Sequence, residues 1–358
     1  NRATAAAIGA NGAASFGDAM DQLHRSYVAL VTGMFPLSSA IGPPLSALRA
    51  TGTLLEHAAR NRTITAELAE RRSALADATV DATERAARRT AFLHDFGHRG
   101  IYESDIARPR YADDPTTLGD GTDAAAPRTS PPRRTVAGVL TLPIWATAAA
   151  PMRARELLRH DAMRSFASIR RSLVALGSAA VDRGQLRSID DLWLLDADEV
   201  RRLDGGWTPD AAFWQRRELE REQLDVLDVP HVVRRFDDPS QWGDGDIADD
   251  DSVRGLPLTG GHGDGTAWVL QEPATGHPEH LEGERVVLVA RSIDAGWITT
   301  ISLVDAVVVE IGGDLSHGSI LVRELGVPAI TNARSATRAF TTGDAISLDA
   351  SRGVARRA

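Results

Sequence analysis

The chain has 358 residues, 43% of them hydrophobic and 25% charged, which at ~100–200 residues per domain gives two or three domains with ample core. All 40 basic residues are Arg, since no Lys occurs, and Cys is also 0; this excludes a Schiff-base or Walker-A lysine, a thiolate nucleophile, disulfides and Cys-type zinc sites. A net charge of −9 argues against a nucleic-acid partner, which would need a basic stripe.

In chain order, Ser15–Met34 places Phe16, Met20, Leu23, Tyr27 and Leu30 at three- and four-residue steps, predicting an amphipathic helix. Helices are also predicted over Ile64–Thr79 and Asp81–Phe96, which are rich in Ala and Arg without internal Gly or Pro. Asp113–Arg134 collects Pro, Thr, Gly and Asp and reads as a loop. Helix resumes near Trp145 and runs to Arg183, stopped by Gly184. The apolar run Val136–Met152 is broken by Thr141, Pro143 and Thr147 and falls short of a membrane span. No secretory leader pattern opens the sequence, so a soluble cytoplasmic protein without a membrane partner is expected. A short strand at Leu192–Leu195 and helices at Ala197–Leu203 and Pro209–Leu224 complete this part.

Phe236–Asp251 is acidic and turn-rich, and a linker is placed at 236–253 between a helical domain, 1–235, and an α/β module, 254–358. Strands are expected at Ala267–Leu270, Arg285–Ala290, Ala306–Glu310, Ala329–Thr331 and Ala345–Leu348, each bounded by Gly, Pro or Asp. Gly261-x-Gly263-x-Gly265 precedes a strand rather than a helix and reads as a hairpin turn, not a nucleotide loop. No metal site is expected: His277 and His280 lack a third ligand, and the aspartates of 244–251 do not have calcium-loop spacing.

The chemistry concentrates in Val307–Ile330, VVVEIGGDLSHGSILVRELGVPAI. A strand ends at Glu310, and Gly312-Gly313 allows a tight, backbone-exposing turn. Ser316 stands where an N-cap is expected, the helix runs from His317 to Leu325, Gly326 takes the C-cap and Pro328 stops it. His317 then lies at the positive end of a helix dipole, which disfavours imidazolium and leaves a neutral, nucleophilic ring. The same N–H groups suit a phosphoryl group, so the pattern fits a histidine that is phosphorylated and then held by backbone dipoles.

EIGGDLSHGSILVRELGVPAI resembles the signature of the phosphohistidine swivelling domain of phosphoenolpyruvate-utilising enzymes, Gly-Gly-x-x-Ser-His-x-x-Ile followed by Ala-Arg-Glu-Leu-Gly-Ile-Pro-Ala. The resemblance extends through GLPLTGGHGDGTAWVL, LVARSIDAGWITTI and TTGDAISLDASRGVA, about 100 residues in the family's order. It implies that His317 is the phosphorylated residue, with Glu310, Gly312, Gly313 and Ser316 shaping its loop. Departures are Thr259 for the usual Ser, Gly318 and Ser319 where Ala is common, and Val322 for Ala. FLHDFGHRGIYESDIARPRYADDP and Met152–Val200 are similar to the helical substrate domain of rifampicin phosphotransferases and phosphoenolpyruvate-synthase-like proteins.

In that helical part Arg155 and Arg159 lie one turn apart beside Glu156, and two guanidiniums on one face can clamp a phosphoryl group or simply form a solvated basic face. Arg99 and Glu103 read as a buried polar network in a supporting role. No barrel domain follows the module here and no ATP-grasp domain is recognisable, so the resemblance implies the phosphohistidine-bearing part of a dikinase-type phosphotransferase. ATP and Mg2+ would be held by a partner ATP-grasp domain or subunit and neither by this chain. The phosphoryl group would pass through His317 to a hydroxyl or carboxylate of a small-molecule substrate, leaving AMP and phosphate. The lysine-free composition points the same way, to the half that does not hold ATP. The alternatives are a non-catalytic assembly module and the histidine-bearing subunit of a two-component system similar to phenylphosphate synthase.

Overall fold

A computed structural model describes residues 13–53, 57, 64–76, 80–118, 135–225, 252–274, 276, 281, 283–313 and 316–358. Helices come first: α1 Phe16–Ala50, α2 Ile64–Ser73, α3 Ala82–Phe96, α4 Val136–Leu140, α5 Leu142–Asp182, α6 Ala197–Arg202 and α7 Ala211–Asp225. The strands β1 Ser252–Arg254, β2 Leu256–Pro257, β3 His262–Leu270 and β4 Val286–Ala290 follow, then α8 Ile298–Ser302, β5 Ala306–Val309 and α9 His317–Leu325. β6 Ala329–Thr331, α10 Ala336–Ala339, β7 Ala345–Asp349 and β8 Val354–Arg357 end the order. The architecture is the expected helical part followed by a mixed α/β module. Residues 226–251, which hold most of the acidic linker, lie outside the described residues, as do 119–134, 77–79, His277 and His280; Ser252 and Val253 belong to β1.

The chain divides into two compact units, Asn1–Phe35, Ser104–Ala107 and Leu158–Gly245 in the first, and Pro36–Glu103, Arg108–Leu157 and Asp246–Ala358 in the second. In the first unit, Phe16, Ala19, Ile169, Leu173, Leu192, Val200, Leu203 and Trp214 share a core. The carboxylate of Asp204 accepts the backbone N–H groups of Phe16 at 3.0 Å and Gly17 at 2.8 Å, filling the orphan donors at the start of α1. The strand expected at Leu192–Leu195 is instead a 3-10 turn, Ile189–Leu194. A capping box explains it, with Ser188 as cap and Asp191 reaching back to the cap backbone. Asp191 is 3% exposed; burial alone would raise its carboxyl, but the Arg187 guanidinium and the Arg187 and Ser188 amides hold it below the usual carboxylate range.

The second unit begins with the far part of α1, which continues past the expected end at Met34 through Pro36, Pro43 and Pro44. Three prolines cost backbone hydrogen bonds, yet Ile41, Leu45 and Leu48 are buried against Ile144, Trp145 and Met152, and this packing outweighs them. By length and composition α1 is apolar enough to cross a membrane over Phe16–Leu48, and it is the one such helix among the described residues. Phe92, Phe96, Tyr111 and Leu118 join Leu68 and Leu75 in a separate core.

The module's eight strands form one sheet in the order β1-β8-β7-β3-β4-β5-β6-β2. β3 to β6 run parallel, while β7, β8, β1 and β2 pair antiparallel. β1 and β2 occupy opposite ends of that order yet are separated in sequence by Gly255 alone, so the sheet must curl until its edges meet. Gly255 makes that turn possible: a Cβ there would stand 2.5 Å from the Thr331 carbonyl oxygen. Alternate residues serve the two faces. Val287, Val289, Ala306, Val308, Ile330, Ile346 and Leu348 fill the inside, while Val286, Leu288, Ala290, Val307 and Val309 meet Trp297, Ile298, Leu321 and Val322 outside.

Gly263 and Gly265 lie within β3 rather than in a hairpin turn. The first half of β3 pairs with β7 and the second half with β4. At the crossover a Cβ on Gly263 would stand 2.4 Å from the Ala306 Cβ and one on Gly265 2.2 Å from the Arg285 carbonyl, so the glycines permit close strand packing.

Candidate active site

Each end of α9 lies where the sequence places it. Ser316 is the N-cap, its Oγ accepting the Ser319 N–H at 3.2 Å, and His317 is the first helical residue. The Ser316 N–H donates to the Gly313 carbonyl at 2.9 Å, closing the tight turn that Gly312 and Gly313 were expected to form. Gly326 adopts φ 67° at the C-cap, a conformation glycine takes without cost.

Three residues that the sequence did not single out fix this loop. Asn332 has φ 55° and accepts the Gly312 N–H on Oδ1 at 3.2 Å. Thr337 donates its backbone N–H at 2.8 Å and its hydroxyl at 2.7 Å to Glu310 Oε1. Glu310 therefore ties the end of β5 to the first turn of α10. Thr331 closes the floor: its Oγ1 lies 2.5 Å from the point a Cβ on Gly312 would occupy. The only available sequence signal was the Thr-Asn pair after β6, since Asn tolerates positive φ.

Gly318, one of the departures from the family pattern, packs backbone to backbone. A Cβ there would meet Ile293 Cγ1 at 2.2 Å and the Ile293 carbonyl oxygen at 2.5 Å. Gly318→Ala is expected to destabilise the chain by about 1–2 kcal/mol, because overpacking against backbone, about 1–3 kcal/mol, exceeds the ~1 kcal/mol gain in helix propensity. Urea denaturation reads the sign; a stabilised variant would mean that the Ile293 segment yields freely.

The helical residues around 48–128 contact the module within the second unit. Arg72 of α2 donates to the Tyr111 hydroxyl and, at 3.2 Å, to the Gly296 carbonyl. The Tyr102 N–H donates to Asp294 Oδ2, its hydroxyl donates to the Gln271 carbonyl at 3.1 Å, and Arg108 pairs with Glu272 at 2.9 Å. Burial pushes the Tyr102 phenol up, leaving it a donor across the neutral range.

Arg99 and Glu103 form a buried two-point ion pair, 2% and 1% exposed, with Nη2 to Oε1 at 2.8 Å and Nε to Oε2 as the second bond. Burial alone would lower the Arg99 guanidinium, but Glu103 and then Glu156 hold it above its ordinary value. The structure thus brings Arg99, Glu103 and Glu156 into one electrostatic group. Arg155, on α5, is buried as well, whereas Arg159 extends to the Ser104 hydroxyl at 3.3 Å. Among the described residues no group of three or more His, Asp or Glu side chains could hold a metal ion.

Comparison with known proteins matches residues 282–353 to the PEP-utilising enzyme, mobile domain, and residues 48–128 to the rifampicin phosphotransferase fourth domain. An uncharacterised protein of Mycobacterium tuberculosis is 30% identical over 324 residues, 88% of this chain and 36% of its own length. A probable phosphoenolpyruvate synthase of Staphylothermus marinus is 40% identical over 103 residues, 28% of this chain and 12% of its own. A rifampicin phosphotransferase of Bacillus cereus is 22% identical over 208 residues, 56% of this chain and 23% of its own. The chain therefore spans about a third or less of each of these relatives. With the mobile domain's glycine turn, cap and histidine in place at the start of α9, the chain belongs to the phosphoenolpyruvate-utilising enzyme family, in which its helical part is of the rifampicin phosphotransferase type.

Proposed function

We propose that the chain is the histidine-phosphate-carrying part of a dikinase-type phosphotransferase. The observation that carries this reading is the placement of His317 at the first turn of α9, behind Gly312-Gly313 and beside the Ser316 cap, within the residues matched to the mobile domain. A ring nitrogen there takes a phosphoryl group derived from the β-phosphate of ATP, and a substrate hydroxyl or carboxylate takes it in turn. Over the cycle ATP, water and substrate become AMP, inorganic phosphate and phosphorylated substrate, with water accounting for the second cleavage of ATP. ATP and Mg2+ belong to an ATP-grasp domain or subunit, with the acidic segment 236–253 as the boundary between substrate-binding and carrier domains.

The helical part is the substrate side of this scheme. Arg155 and Arg159 neutralise charge on the transferring group, and Arg99, Glu103 and Glu156 hold the surrounding backbone in place. The contacts of Arg72, Tyr102 and Arg108 support a docked carrier domain, and delivery and recharging alternate by breaking and remaking them. The test is isotopic. With the ATP-grasp component supplied, label from the β-phosphate of ATP is expected to enter the chain as acid-labile, base-stable phosphate, with one AMP formed per label. Label arriving from the γ-position with ADP as product would sink the dikinase assignment.

A further inference from the structure

We infer that the Thr331 hydroxyl binds the phosphoryl group at His317, donating a hydrogen bond to one of its oxygens; this rests on the carrier reading above. Thr331 ends β6 and is 1% exposed, and its Oγ1 is buried without a hydrogen-bond partner. An unpaired buried hydroxyl costs stability that a valine of the same shape would not, and its strand neighbours Ala329 and Ile330 are apolar and fully buried. The hydroxyl therefore calls for an acceptor that arrives with the reaction.

The geometry says where that acceptor arrives. Thr331 Oγ1 lies 2.5 Å, and Ser316 Oγ 3.6 Å, from the point a Cβ on Gly312 would occupy. Any side chain at position 312 would fill the space in front of the hydroxyl, so Gly312 keeps it open. Ser316 caps α9 and is already engaged, accepting from the Ser319 N–H and contacting the Ser319 hydroxyl at 2.8 Å. The Gly312 N–H is likewise engaged with Asn332. Among these groups at the start of α9, Thr331 is the donor left over. A phosphoryl group on His317 brings three acceptor oxygens to the positive end of that helix.

The hydroxyl stabilises the dianionic phosphoryl group, so its loss favours the protonated monoanion and raises the phosphoryl pKa. The chain can be charged without an ATP-binding partner by phosphoramidate: its P–N bond breaks, ammonia departs with a proton, and a new P–N bond forms to the His317 ring. Phosphorus NMR across pH then reads the ionisation of the signal that is missing in His317→Ala. Thr331→Val is expected to raise that pKa by about one unit, a tenfold shift in the ionisation constant, and Thr331→Ser to keep it within about 0.3 unit of the wild-type value. Failure of the valine variant to hold phosphate, while the serine variant does, equally supports the hydroxyl.

If valine titrates like the wild type, or if serine and valine shift alike, Thr331 only packs and the inference falls while the carrier reading stands. If the wild type shows no signal that His317→Ala lacks, the carrier reading itself falls. Should Thr331→Val not fold by circular dichroism, Thr331→Ala against Thr331→Ser makes the same comparison, and the same outcomes decide it.

Discussion

Alanine at position 317 abolishes the acid-labile phosphoenzyme and lowers phosphoryl transfer at least about 1000-fold, some 4 kcal/mol of barrier at 1.36 kcal/mol per decade. The expectation follows from the scarcity of alternatives: the chain has no Lys and no Cys, and the glycine turn and helix cap converge on this one residue. The loss is chemical rather than structural. α9 is held by the Ser316 cap, the Gly326 C-cap, and Leu321, Val322 and Leu325 in the outer core, none of which the substitution touches. Alanine is also the better helix former. Trapping of acid-labile phosphate, together with thermal denaturation, checks both halves. Retention of label on His317→Ala would place the phosphoryl group elsewhere, and a large drop in melting temperature would make the loss uninformative.

Glu103→Ala is the substitution with the largest expected effect on stability, a loss of about 3–5 kcal/mol. It strands the Arg99 guanidinium, 2% exposed, without the carboxylate that makes both of its short contacts. Glu156 offsets part of the deficit through its charge. The paired change Arg99→Met with Glu103→Met removes both ions together and is expected to cost less than Glu103→Ala alone, because no buried charge is orphaned. Urea denaturation of the three chains settles the order. A double variant as unstable as the single one would mean that the pair's geometry, and not its charge balance, holds the Gly97–Tyr111 turn.

The residues around His317 were legible because their signals are local. Ser316, Gly326 and Pro328 mark the ends of α9 within a few positions of each other, and the observed helix has the predicted bounds. Elements whose existence depends on distant partners were not. β1 and β8 are three and four residues long and pair across a hundred positions, and neither has a hydrophobic rhythm of its own. Leu192–Leu195 looks like a strand by composition, but the Ser188–Asp191 box captures it for a 3-10 turn. The same contrast runs through the site. Gly312, Gly313 and Ser316 sit in one motif, whereas Thr331, Asn332, Thr337 and Asp294 acquire their roles only when β5, β6 and the Asp294 turn meet.

The one-residue bridge at Gly255 also governs the order in which the module can assemble. Its first strand hydrogen-bonds to its last, Ser252 opposite Arg356 and Arg254 opposite Val354, while its second strand docks on β6. During synthesis the early strands emerge long before their partners, and the ring has no closed form until the segment around residue 356 has left the ribosome. Until then β7 and β1 lack the neighbour that separates them, β8, and present open edges. The geometry that lets one glycine seal the sheet thereby makes the module's folding post-translational in its last step, and most exposed to mispairing just before it.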